Sequence, residues 1–135
     1  MIIGIGTDIL EIKRIGKILN KHDKKFIKRI YGTNEISVIE NKKNNLDHYL
    51  SKRFAAKEAT WKAFNPKRGK GLIFKEIETL NDKNGKPYLF FSGKTDRCIK
   101  ERENELGGTL KFDVSLSDEQ QYVIAFVVIS LAPIV

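Results

Sequence analysis

Two carboxylates and one ammonium carry the chemistry this sequence offers most clearly: Asp8, Glu58 and Lys62. Glu58 and Lys62 stand four apart in Arg53-Phe54-Ala55-Ala56-Lys57-Glu58-Ala59-Thr60-Trp61-Lys62-Ala63-Phe64. That run lacks Gly and Pro and is dense in Ala, Lys and Glu, so it reads as a helix on which the two side chains are neighbours. Such a pair is ordinarily a surface ion pair contributing about 0.3–0.5 kcal/mol. Asp8 is a lone acid between Thr7 and Ile9-Leu10, at the end of a short apolar strand over Met1 to Ile5, where it could equally cap the next helix. Taken together, two carboxylates with open positions suit Mg²⁺, a hard ion that keeps waters and accepts phosphate oxygens as further ligands. The ammonium would neutralise a phosphate, so the set fits phosphoryl-type transfer from a diphosphate. Nucleophilic catalysis has no placed Cys/His or Ser/His pair, because His22 and His48 lie in polar helical stretches and Cys98 stands alone. Too few Cys and His are present for a zinc site.

The elements that must position these groups follow from periodicity. At about 100° per residue, Leu46, Leu50, Phe54, Trp61 and Phe64 gather on a bulky face of the organising helix, and Ala55, Ala56, Ala59 and Ala63 on a small one. A helix apolar on two sides is central to its domain, with Glu58 and Lys62 caught between the packed faces. Asn45 or Asp47 caps it and Asn65-Pro66 stops it. Gly4 and Gly6 bracket Ile5 and permit close approach of another backbone or a ligand. Glu11 to Asn20 and Asp23 to Tyr31 are helical, with Ile12, Ile15, Leu19, Phe26, Ile27 and Ile30 inward. Their other side carries Arg14, Lys17, Lys21, Lys25 and Lys28, one continuous stripe if the two segments are collinear. The stripe is either a solvated face or a docking strip for an acidic helix or a phosphate backbone.

Gly32 ends that segment, and Thr33-Asn34-Glu35 opens a short helix to about Asn41, followed by a polar turn. Lys67 to Gly71 forms a basic surface loop that lacks the P-loop ending. From Ile73 the period becomes two. Ile73 to Leu80 and Pro87 to Phe91 make a hairpin around Asn84-Gly85, and Ser92 opens a helix that Gly107-Gly108 closes. Thr109 to Ser117 and Gln121 to Leu131 form a second hairpin, whose last strand is apolar on both faces and belongs in a sheet centre or a subunit interface.

At 135 residues the expectation is one domain, 1–135, of α+β class with an antiparallel sheet packed on a long central helix. One cysteine fits a reducing compartment, and neither a leader nor a span of about 20 apolar residues is expected, so a cytoplasmic protein without a membrane span is implied. The net charge of +8, from 25 Lys and Arg against 17 Asp and Glu, attracts polyanions without choosing among them. A small basic nucleic-acid-binding module is the alternative reading, although no nucleic-acid motif is present and the aromatics fall at core spacing.

Gly4-Ile5-Gly6-Thr7-Asp8-Ile9 with Glu11 and Arg14, and Arg53-Phe54-Ala55-Ala56-Lys57-Glu58-Ala59 with Lys62-Ala63, resemble the two signature motifs of holo-acyl-carrier-protein synthases, the small bacterial 4′-phosphopantetheinyl transferases. Val114-Ser115-Leu116-Ser117 is similar to the family's third motif, and the Asn84-Gly85-Lys86-Pro87 turn also matches. The resemblance implies transfer of the 4′-phosphopantetheine arm of coenzyme A to a serine of apo acyl carrier protein, a step of fatty acid biosynthesis, with release of adenosine 3′,5′-bisphosphate. It implies Mg²⁺ on Asp8 and Glu58, deprotonation of the serine with help from Glu58, and Lys62 on the pyrophosphate. It further implies Arg53 near the adenosine 3′-phosphate, Ser115 as a coenzyme contact, the basic stripe as the carrier-protein surface, and a homotrimer with a site at each subunit boundary. Where the family commonly has His, before and after the third motif, this chain has Asp113 and Asp118.

Overall fold

The computed structural model describes residues 1–134. Strand β1 (Ile2–Glu11) leads into helix α1 (Ile12–Ile30), then α2 (Thr33–Ser37), a 3₁₀ segment (Ile39–Asn45) and helix α3 (Leu46–Phe64). A second 3₁₀ turn (Phe74–Glu76) opens the hairpin of β2 (Ile77–Asn81) and β3 (Pro87–Phe91), and α4 (Gly93–Leu106), β4 (Gly108–Asp118) and β5 (Tyr122–Pro133) complete the chain. β1, β5 and β4 make an antiparallel sheet in that order, while β2 and β3 pair separately. The class is therefore α+β, with α3 packed on β1 and β5.

β5 occupies the sheet centre, as its double apolar character requires. Its inward residues Val123, Ala125, Val127 and Ile129 join the core with Leu50, Ala55, Ala56, Ala59, Ala63 and Phe64 of α3. Its outward residues Ile124 and Phe126 stay 45% and 39% exposed, beside Ile5 and Ile9 of β1 at 62% and 63%. A continuous apolar strip thus lies on the side of the sheet away from α3.

Two expectations change. β1 does not stop at Ile5: it pairs with β5 from Ile2↔Ser130 to Glu11↔Tyr122, so Asp8 is a strand residue opposite Ala125, neither a strand end nor a helix cap. Long-range pairing with a strand more than a hundred residues away overrides the local cue. The two basic helical segments form as expected and run on as α1, kinked at His22, whose φ of −143° and ψ of 34° leave the helical region. In addition, Phe74–Glu76 is a 3₁₀ turn where strand was expected.

Candidate active site

Why Asp8 lies beside the Glu58–Lys62 stretch of α3 is a matter of glycines. α3 approaches β1 so closely that a Cβ on Gly4 would come 2.1 Å from the Ala63 carbonyl oxygen, and one on Gly6 2.1 Å from that of Ala59. Only glycine on the strand and alanine on the helix allow this contact. Two residues further along the same face of β1 stands Asp8, facing the helix turn that carries Glu58 and Lys62.

Lys62 Nζ donates to Asp8 Oδ1 at 3.2 Å and to the Thr7 carbonyl at 2.9 Å. Asp8 is largely buried, and Lys62 remains about half exposed. Glu58 is partly buried, and that desolvation, followed by the nearby charge of Asp8, raises its pKa above the usual carboxylate value. Lys62 and Arg14 pull it back down. The three residues singled out from the sequence are therefore one electrostatic cluster, and Arg14 places the start of the basic stripe at its edge.

Arg53 lies elsewhere. Five residues before Glu58, it projects about 140° away around α3. It is 6% exposed, hydrogen-bonds through Nη2 to Asn81 Oδ1 at 2.5 Å, and its guanidinium lies 4.3 Å from the centre of the Tyr49 ring. Burial pushes the Tyr49 hydroxyl up to about 12, against the opposing influence of Arg53. Among the described residues no carboxylate forms an ion pair with Arg53, and its Nε has no hydrogen-bond partner. A cavity of about 680 Å³ opens over it, lined also by Lys42, His48, Lys52, Asn81 and Asp118. A second cavity of about 440 Å³ shares Lys42, Tyr49, Arg53 and Asn81. Lys42, Lys52 and Arg53 against the single Asp118 give the first a net positive lining, which suits a phosphorylated ligand.

Ser115 stands opposite Phe126, itself opposite Thr7, and so sits on the outward face of the sheet, away from Asp8. One chain does not bring Arg53 or Ser115 to the Asp8–Glu58–Lys62 cluster. Both aspartates that replace family histidines have lysine partners: Asp113 with Lys111 at 3.9 Å and Asp118 with Lys52 at 3.8 Å. Arg14, Lys17, Lys21, Lys25 and Lys28 are all exposed on α1. The sequence reading assigned no role to Lys57 and gave Glu35 only as a residue opening α2, where it accepts from the Gly32 amide; the two form a fully buried ion pair. A cation inside a helix that packs on two sides was the available signal.

Two carboxylates and an ammonium gathered in this way suit chemistry on a phosphorylated group. The chain belongs to the 4′-phosphopantetheinyl transferase superfamily, whose model matches residues 4–127. It is 42% identical to a holo-[acyl-carrier-protein] synthase of Ruminiclostridium cellulolyticum over 94% of this chain and 91% of that one. Among solved structures, the holo-[acyl-carrier-protein] synthase of Neisseria meningitidis superposes with a TM-score of 0.80 at 36% identity, covering 96% of this chain and 99% of the other. A Bacillus anthracis holo-(acyl-carrier-protein) synthase in complex with coenzyme A (3′,5′-ADP) superposes with a TM-score of 0.76 at 35% identity, covering 98% and 99%. The nucleic-acid module finds no support among these relatives. Among the described residues no helix is long and apolar enough to cross a membrane.

Proposed function

We propose that this chain moves the 4′-phosphopantetheine arm of coenzyme A onto a serine of an apo acyl carrier protein, releasing adenosine 3′,5′-bisphosphate, as a cytoplasmic step that serves fatty acid biosynthesis. The observation that carries this reading is the convergence of Asp8, Glu58 and Lys62 between β1 and α3. In the reaction the serine Oγ bonds to the phosphorus bearing the pantetheine arm, the bond from that phosphorus to the bridging oxygen breaks, and the nucleotide leaves with that oxygen. Glu58, whose pKa burial raises above the usual carboxylate value, takes the serine proton, directly or through a water. Lys62 holds negative charge on the pyrophosphate as it grows on the leaving side.

The donor set fits Mg²⁺. Asp8 and Glu58 are two hard oxygen donors with no third His, Cys, Asp or Glu clustered beside them among the described residues, and Mg²⁺ fills its remaining positions with water and phosphate oxygens. When bound there, the ion supplies charge neutralisation and alignment of the pyrophosphate.

Arg53 and its cavity take the nucleotide end, in keeping with an arginine that has no carboxylate partner among the described residues. Since Arg53 and Glu58 point to different sides of α3, the nucleotide pocket of one subunit must complete the acidic cluster of the next. The exposed strip of Ile5, Ile9, Ile124 and Phe126 supplies the surface for such an assembly, a homotrimer with three sites. The exposed cations from Arg14 onward dock the acidic carrier protein with its serine near Glu58. Incubation with apo carrier protein, coenzyme A and Mg²⁺, followed by mass spectrometry, tests the assignment: the carrier protein gains the mass of phosphopantetheine, and no gain at any Mg²⁺ concentration would reject it.

A further inference from the structure

Lys57 precedes Glu58 in the chain, yet its side chain and that of Glu35 have no solvent exposure. The Lys57 ammonium donates to Glu35 Oε1 at 2.6 Å, to the Phe74 carbonyl at 2.9 Å and to the Ile77 carbonyl at 2.5 Å. Glu35 accepts further hydrogen bonds from the Gly32 amide at 3.1 Å and the Thr79 amide at 3.0 Å. Glu78, buried alongside, accepts from the Glu35 amide at 3.0 Å and from Asn34 Nδ2 at 2.9 Å. Burial pushes the Lys57 ammonium pKa down, and the Glu35 carboxylate pulls it back up. Three separate segments, α2, the 3₁₀ turn at Phe74–Glu76 and β2, therefore converge on one atom of α3.

Stability is a poor account of this arrangement. Desolvating two charges costs several kcal/mol each, and apolar side chains of similar volume often replace a buried pair with no loss of stability. What the pair supplies is direction. Toward the sheet, α3 presents Ala59 and Ala63 to Gly4 and Gly6, a smooth contact that sets distance but offers no side-chain knob to resist rotation. An ammonium held by three acceptors does resist it.

We propose that the Lys57–Glu35 pair is a positioning device that fixes the rotation of α3 about its own axis and so aims Glu58 at Asp8. Lys57 projects about 100° from Glu58, so the clamp lies to one side of the carboxylate and outside the reacting atoms. At about 6 Å from the helix axis, a 20° turn of α3 would carry the Glu58 carboxylate roughly 2 Å. A displacement of about 1 Å can cost about 10²-fold in rate. The inference rests on Glu58 acting in the transfer proposed above.

The test uses the full chain with Lys57→Met combined with Glu35→Gln, which removes both charges and keeps one acceptor for the backbone amides. Thermal melting, Mn²⁺ binding without substrates, kcat and the KM for carrier protein are measured well below the melting temperature. The expected result is a folded protein that binds Mn²⁺ about tenfold more weakly and turns over about 10²-fold more slowly, with the KM for carrier protein changed less than roughly threefold. Wild-type kcat and Mn²⁺ affinity in the folded double variant overturn the inference, as does a rise in KM equal to the fall in kcat. If the double variant does not fold, Glu35→Gln alone decides, because it leaves the ammonium its two carbonyls. A fall in kcat of roughly fivefold or more at constant KM supports positioning, and a smaller fall or none refutes it. Failure of the unaltered chain to modify carrier protein is a different result, and sinks the transfer reading instead.

Discussion

The ammonium of Lys62 lies 3.2 Å from the carboxylate of Asp8, joining a helix residue to a strand residue 54 positions earlier. This contact compensates Asp8 and leaves Glu58, on the next turn of α3, as the acid whose proton affinity burial raises.

Glu58→Gln separates catalysis from folding. The substitution should lower kcat by about 10²- to 10⁴-fold, the range for loss of a general base. Stability should move the other way. Because the folded pKa of Glu58 is raised, its contribution to stability is complete at low pH and is lost as pH rises through the folded value. In chelated buffer, melting curves should show Glu58→Gln above the parent chain at pH 7, with the difference vanishing near about pH 4, the ordinary carboxylate range.

Gly6→Ala tests the seam between β1 and α3. The added methyl would lie 2.1 Å from the Ala59 carbonyl oxygen and 2.7 Å from the Ala63 nitrogen, both backbone atoms that cannot swing aside. Urea unfolding should show a loss of about 1–3 kcal/mol or more. An unchanged midpoint would mean the seam is looser than described.

Arg53→Met should erase preference for the 3′-phosphate. The parent chain is expected to use coenzyme A better than dephospho-coenzyme A, and the variant to use both alike, a loss of selectivity of about tenfold or more. Arg53→Lys should recover only part, because a point charge does not reproduce the guanidinium seated over Tyr49 and bonded to Asn81. Steady-state kinetics with the two donors checks this.

Charge reversal on α1 should act on the protein substrate. Lys17→Glu with Lys21→Glu should raise the KM for carrier protein by about tenfold and flatten its dependence on salt, leaving the KM for coenzyme A unchanged. An equal rise in both would make the stripe a coenzyme surface.

Ile9→Asp with Phe126→Asp should dissociate the proposed homotrimer. Both side chains lie on the exposed apolar strip and outside the acidic cluster. Sedimentation velocity should report single chains that remain folded by circular dichroism, and turnover should fall with the assembly.

Local signals placed several elements well. Asn84-Gly85 gave the hairpin between β2 and β3, with Gly85 at φ +83°, and Gly107 closes α4 at φ +70° as a residue without Cβ can. Asn65 ends α3 in the left-handed region, just before Pro66. The cluster of Asp8, Glu58 and Lys62 was legible because carboxylates beside apolar packing faces are chemically conspicuous. The extent of β1 was not, since a strand's length is set by its partner, here β5 at the other end of the chain. The break at His22 was legible, since the helical pattern already divides between Asn20 and Asp23. Lys57 escaped notice as the length of β1 did: its partners come from α2, the turn at Phe74 and β2, and only the folded chain gathers them. The separation of Arg53 from Glu58 was implicit in helical phase, but became informative once the cavity over Arg53 was seen.

In β1, alternate residues face opposite ways: Gly6, Asp8 and Leu10 toward α3, and Ile5, Thr7 and Ile9 outward. A slip of β1 by a single residue against β5 would exchange the two sets, turning the acid out to solvent and pressing isoleucines against the glycine seam. The exposed apolar strip and the acidic cluster therefore hang on one thread of ten residues, and variation there can hardly tune one without disturbing the other.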